Sequence, residues 1–297
     1  MKKILILLVL VFIYLNLSQS LFGQVPVGFV PPQKASMSDE DYRQRCLSLQ
    51  GAYDQIRESD REWVYGDYWN VAVTLYKLEV GQDTIKALLE KGFEIDPVSF
   101  CQLQEVLGPK YKDKAFKRMG DYYPNLCERC KAIDTSEPEK QPLSEYCVEN
   151  GYDLALVQAL DSLIERDQRY RGKNDYRDNK EGVYQQEHVL DPENMVLIEA
   201  IVHKYGYPGK SMVGKRFQSV ACLVIEHAAS SDSARARALL PEVAEAYRKG
   251  EIFPGVIRML LDRLQVLEDG TQIFGSHAGV PFAEQAVIDG IRKKYQL

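Results

Sequence analysis

Polar side chains continue the apolar stripes of the C-terminal half, and they are the residues equipped to do chemistry. Asp167, Gln168 and Arg171 lie on one helical segment, Asn194 on a second and His227 on a third. Asp262 and Arg263 end a fourth, and Gln272 follows them. Burying such groups costs free energy unless they are paired, so their places among Leu, Ile and Val predict one polar pocket. Within it His227, Asp167 and Asp262 are the candidate acid–base groups, because an imidazole or a perturbed carboxyl can exchange protons near neutrality. Gln168, Arg171, Asn194, Arg263 and Gln272 are the candidate ligand-binding groups. A plainer reading stands beside each: Asp167 and Arg171, four apart, also suit a surface ion pair worth little, and a lone His on an apolar face suits a satisfied core.

The elements that must position these residues are mainly helical. Leu156, Leu160 and Leu163 set one face of a helix from about Gly151 to Arg171, and Asp167 and Arg171 extend that face. Asp191-Pro192 reads as a helix opening, with Asn194 at the head of the stripe. A turn-rich loop, Gly206 to Gly214, leads into a helix from Val213 to Ala229 whose run VACLVI is apolar nearly all round. On that helix Glu226 is expected to point away from His227. Lys210 and Ser211 in the loop carry only a weak anion-binding signal. Further helices run to Gly250, from Pro254 to Arg263, and from Ala283 to Tyr295. Between the last two, Asp269-Gly270 flanked by alternating residues predicts a two-residue β-hairpin, pairing Val266 with Ile273 and Leu267 with Gln272. Gly275-Ser276-His277 then reads as a flexible exit.

The N-terminal half is also helical. Ser38-Asp39-Glu40-Asp41 marks a helix start with acids at the positive end of the dipole. From Trp69 to Pro97 the chain resembles a tetratricopeptide repeat: Trp69, Tyr76, Leu89 and Pro97 keep the intervals, and Gly81 sits in the turn. Val73, Ile85 and Gly92 depart from that pattern, and one repeat is not a solenoid. Gly108-Pro109 and Tyr123-Pro124 are expected to break the helices that follow. The polar stretch DTSEPEKQ, Asp134 to Gln141, marks a boundary. The expected organisation is a signal peptide over 1–23, a helical domain over 38–133, a linker over 134–149 and a mainly helical domain over 150–297.

Composition narrows the partners. The net charge of −6 and pI near 5.4 exclude a protein built on phosphate-backbone contacts. Lys2 and Lys3 precede an apolar stretch, Ile4 to Leu17, shorter than the roughly 20 residues a spanning helix needs. This predicts a secretory signal cleaved before Leu21 or Gln24, hence a periplasmic or secreted protein without stable membrane insertion. No Cys follows the apolar stretch closely, so a lipoprotein is not expected. Export implies oxidising conditions, and structural disulfides are expected among Cys46, Cys101, Cys127, Cys130 and Cys147, with Cys222 a buried thiol. Neither a redox nor a zinc setting accompanies Cys127-x-x-Cys130. No nucleophile elbow, phosphate-cradling Gly loop or zinc motif is present, and no cofactor or metal is expected.

Several short segments keep a common order and spacing: DQRYR (Asp167–Arg171), DPEN (Asp191–Asn194), GYPGKSMVG (Gly206–Gly214), EHA (Glu226–Ala228), DR (Asp262–Arg263) and GTQIFGS (Gly270–Ser276). On these the C-terminal half, roughly residues 152–280, resembles a bacterial family known only as domain of unknown function 6624. Glu226 stands where that family usually has Gln, and Gly275-Ser276-His277 where its hairpin usually ends in Gly-Thr-Gln. The resemblance implies an architecture, candidate residues and frequent secretion after helical-repeat-like segments, but no reaction. Three functions follow as expectations. The first is an exported binding protein, with a protein or peptide partner for the N-terminal helices and a small polar ligand for the C-terminal pocket. The second is a hydrolase-like enzyme using His227 or Asp167 as base and Arg171 or Arg263 as anion holder. The third is a buried polar network with no ligand.

Overall fold

The computed structural model describes residues 26–58, 62–112, 116–136, 141–171, 180–277 and 279–297. The expected signal peptide, 1–23, lies outside them. The described residues form thirteen α-helices and no sheet, and the chain divides into two compact units that meet between Ser136 and Glu137. No described helix is long and apolar enough to cross a membrane.

In the first unit the helices are α1 (Asp39–Glu58), α2 (Tyr65–Lys77), α3 (Gln82–Ile95), α4 (Pro97–Lys112) and α5 (Tyr122–Arg129). Ser38 caps α1, its hydroxyl accepting from the Asp41 amide at 3.1 Å. Asp96 does the same for α4, accepting from Ser99 at 2.9 Å, with Pro97 in the first turn where its missing N–H is harmless. Helices α2 and α3 form the predicted antiparallel pair, and its core is aromatic: Trp69 meets the rings of Phe100, Phe116 and Tyr123 at centroid distances of 6.1, 5.6 and 5.9 Å. The tetratricopeptide label itself is not supported; a mainly helical unit is what the chain forms. The predicted breaks also fail, since α4 runs through Gly108-Pro109 and Pro124 sits within α5. Of the cysteines, Cys101 and Cys130 are bonded to each other and the other four are free. Cys222 is fully buried, and burial pushes its thiol far above the usual range.

The second unit contains α6 (Leu143–Asn150), α7 (Leu154–Gln168), α8 (Lys180–Tyr205), α9 (Lys210–Phe217), α10 (Val220–Ala228), α11 (Ser233–Arg248), α12 (Pro254–Asp269) and α13 (Gln285–Tyr295). Helix α6 occupies the end of the stretch expected to be linker. The short apolar α10 is central and packs on α7, α8, α11 and α12. Its residues Val220, Ala221, Cys222, Val224, Ile225 and Ala228 are all buried, as the run VACLVI requires.

Three local expectations are corrected. The helix read from Val213 to Ala229 is broken twice: Gly214 kinks α9 at φ 74° and ψ 175°, outside helical space, and α9 ends at Phe217 before α10 begins at Val220. Helix α8 starts well before Asp191-Pro192 and carries Pro192 inside it; the Asp191 side chain is drawn to another partner instead of capping. The β-hairpin is absent. Residues 264–269 extend α12, with Leu260, Leu261 and Leu264 buried at helical spacing, and Gly270 closes the helix at φ 78°. An Asp-Gly pair serves equally as a hairpin turn or as a left-handed helix end, and the apolar contacts of α12 decide for the helix. Only a single parallel bridge, Gln272 with Phe282, follows it.

Candidate functional site

The stripe Leu156, Leu160, Leu163 is buried along α7 and delivers Asp167 into the same interior, where its side chain has no exposure. Arg171, one turn further on, folds back over it. One guanidinium nitrogen donates to the Asp167 carbonyl at 2.7 Å and to its Oδ1 at 3.1 Å. The other terminal nitrogen reaches both oxygens of Asp191 on α8, at 2.6 and 2.7 Å. Helix α10 supplies His227, whose Nδ1 lies 2.8 Å from Asp167 Oδ2. An ionised carboxylate only accepts, so Nδ1 carries the proton. Gln168 donates to the same oxygen at 2.6 Å from an exposed position.

The row continues through Glu226. Contrary to the expectation that it points elsewhere, its Oε2 sits 3.5 Å from His227 Nε2, while its Oε1 accepts from Arg263 Nε at 2.9 Å. Adjacent helix positions diverge at Cα, but a glutamate side chain is long enough to curl back. Acids and bases thus alternate: Asp191, Arg171, Asp167, His227, Glu226, Arg263. The carboxylates lie beneath, with side-chain exposures of 8, 0 and 2%, and the bases form a rim, Arg171 at 18%, His227 at 16% and Arg263 at 30%. Buried charges persist only when paired and hydrogen-bonded, which this alternation provides.

Asp262 and Gln272 do a different job. Asp262, fully buried, accepts from the amides of Ile273 and Phe274 through Oδ1 at 2.6 and 2.8 Å. Its Oδ2 accepts from the Ser276 amide and hydroxyl at 2.9 and 2.8 Å. Gln272 donates to the carbonyls of His277 and Val280 at 3.0 and 2.6 Å and accepts from the His277 amide at 2.9 Å. Together they pin the segment that sequence reading took for a flexible exit. The pinned segment holds His277 half-buried, its Nε2 without a hydrogen-bond partner. Burial lowers the His277 pKa below 6.5, Arg263 lowers it further, and Glu226 and Asp262 pull the other way.

Among the sequence candidates, then, Asp167, Gln168, Arg171, His227 and Arg263 come together. Asp262 and Gln272 anchor the neighbouring segment. Asn194 is fully buried one turn after Asp191, and neither its amide nitrogen nor its oxygen is hydrogen-bonded. Asp191, Glu226 and His277 carry no such signal in the sequence: Asp191 has the form of a cap, Glu226 lies off the apolar stripe, and His277 follows a Gly-Ser pair typical of turns. Among the described residues no group of three or more His, Cys, Asp or Glu is arranged to hold a metal ion.

Comparison with known proteins bears on the second unit alone. Residues 154–295 match the model of a family of unknown function, DUF6624. Searches among curated proteins and among solved structures found no match.

Proposed function

We propose that the domain shared with this family of unknown function recognises a small polar ligand at the rim formed by Arg171, His227 and Arg263. One observation carries the reading: three buried carboxylates lie beneath three basic groups that keep partial access to solvent. Their partial exposure lets a ligand group take the place of water at the rim without the cost of a new buried charge. With Nδ1 committed to Asp167, the imidazole is fixed in orientation and tautomer, and a ligand would approach from the solvent side of the three bases.

The same hydrogen bond favours a second reading, a hydrolase-like enzyme in which Asp167 orients His227 as general base and an arginine holds the anionic group. One experiment separates the readings. The His227 ring resonances of the full chain are followed by NMR while small carboxylates, amides and phosphate esters are added, and each mixture is then assayed for product. A ligand that shifts His227 and loses affinity in Arg263→Ala, without turnover, supports recognition. Turnover abolished by His227→Gln supports catalysis. If no compound moves His227, and Arg171→Ala and Arg263→Ala only lower stability, the row is structural and both readings fall.

A further inference from the structure

A cavity of about 700 Å³ opens between the α6–α7 turn, α9 and the α11–α12 turn, a size typical of small-ligand sites. Its lining includes Tyr146, Tyr152, Lys210, Lys215, Arg216 and Lys249. Helix α7 runs from this cavity to Asp167, so at about 1.5 Å per residue the two regions lie roughly 20 Å apart. The row of charges around His227 therefore contributes nothing to it.

Three features shape this cavity. First, its charge is positive against the trend of the protein: four cationic side chains and one carboxylate, Glu251, line it, while the chain carries −6 overall. Glu251 offsets only one of the four charges, and it is held in place by the Ser211 amide, which donates to its Oε2 at 2.7 Å, and by the Lys210 amide, which donates to its carbonyl at 2.8 Å. Lys210 and Lys215 make no ion pair among the described residues. Lys249 faces the exposed Glu245 at 3.4 Å, and Arg216 lies 3.9 Å from Asp161 and donates to the neutral Gln141 carbonyl at 3.1 Å. Like charges gathered this way repel at a cost that an anion removes.

Second, one wall is aromatic. The Tyr146 and Tyr152 rings are 5.5 Å apart, and the Arg216 guanidinium lies 5.7 Å from the Tyr146 centroid. Third, the wall is built in. Tyr146 donates to the Val213 carbonyl at 2.9 Å, and a Cβ on Gly214 would stand 1.9 Å from its hydroxyl. Gly214 is thus required both by its positive φ and by the tyrosine seated against it.

We infer that this cavity is a second binding site, for a small phosphorylated molecule that carries a ring. Several cations converging on one recess suit a dianion, and the tyrosines offer a stacking face for a sugar or base. A long polyanion is disfavoured by the net charge of the protein.

The full chain at low salt is titrated calorimetrically with adenosine 5′-monophosphate, glucose 6-phosphate and inorganic phosphate, with adenosine, glucose and citrate as controls. Saturable binding is expected for at least one ring-bearing phosphate, at least about tenfold tighter than for its unphosphorylated partner and for citrate. The Lys215→Glu/Lys249→Glu variant, altered only at exposed positions, should weaken it by about tenfold or more, while His227→Gln leaves it unchanged. Circular dichroism verifies that both variants are folded. The inference is overturned if no phosphorylated probe saturates, if citrate binds as well as they do, if the charge-reversed variant binds equally, or if His227→Gln abolishes binding. Because the His227 rim is scored separately, failure here leaves the reading of that rim intact, and the converse holds.

Discussion

Asp167, Asn194, His227 and Asp262 were legible from sequence for one reason: each occupies a position that helical periodicity assigns to the interior. Three of them are fully or almost fully buried and His227 is partly buried, at the rim. Glu226 and His277 were not legible, because a side chain's reach and a loop's anchoring are set by tertiary partners and leave no period in the chain. His277 also has a consequence that can be measured. Burial and Arg263 hold its pKa below 6.5, so the unfolded chain takes up a proton at a higher pH than the folded one. The stability it contributes is then complete above about pH 6.5 and is lost as pH falls through that value toward the depressed folded pKa. His277→Asn should therefore give a flatter dependence of the urea midpoint on pH between about 7.5 and 5, read by circular dichroism. Equal slopes in the two proteins would show that His277 is not held neutral. Glu226 and Asp262 oppose the shift, so Glu226→Gln should steepen the wild-type slope.

Sequence reading did well with elements wherever one apolar stripe persisted. The α2–α3 pair, α7, α11 and α13 all fall close to their expected places. It failed where a short signal admitted two conformations. Asp269-Gly270 reads as a hairpin turn only if Leu264 to Leu267 alternates across a strand, but Leu260, Leu261 and Leu264 already bury as a helical face. Asp191-Pro192 has the form of a helix start, yet α8 passes through it. Losing the hairpin changes what holds residues 271–277 in place. No ladder does so; the carboxylate of Asp262 gathers three amides and one hydroxyl instead. Asp262→Ala leaves those donors without an acceptor, at about 1–3 kcal/mol for each that stays buried. A loss of about 3–5 kcal/mol is expected, together with faster hydrogen exchange at Ile273, Phe274 and Ser276. A loss under about 1 kcal/mol with exchange unchanged would mean that Gln272 and the Phe282 bridge suffice without Asp262.

On the scale of the whole molecule, the division near Ser136 separates the natural probes. Both tryptophans, Trp63 and Trp69, belong to the first unit, and all four histidines to the second. The Cys101–Cys130 bond spans 29 residues and lies wholly within the first unit. Closing a loop of that length removes chain entropy from the unfolded state worth about 3.6 kcal/mol. On the reading that residues 1–23 are a secretory signal, the mature chain forms this bond after export, in a compartment that permits it. Protein recovered from the periplasm should then begin near Leu21 or Gln24 and hold one disulfide by mass. Reduction, or Cys101→Ser, should lower the tryptophan-detected stability by about 2–4 kcal/mol and leave the histidine resonances at their native shifts until the second unit unfolds. An intact Met1 in the recovered protein would remove the cleaved-signal reading, and absence of the protein from the periplasm the export reading. If the tryptophan transition did not move on reduction, the bond would be incidental to the first unit, and Trp69 with its ring neighbours Phe100, Phe116 and Tyr123 would be holding that unit by packing alone.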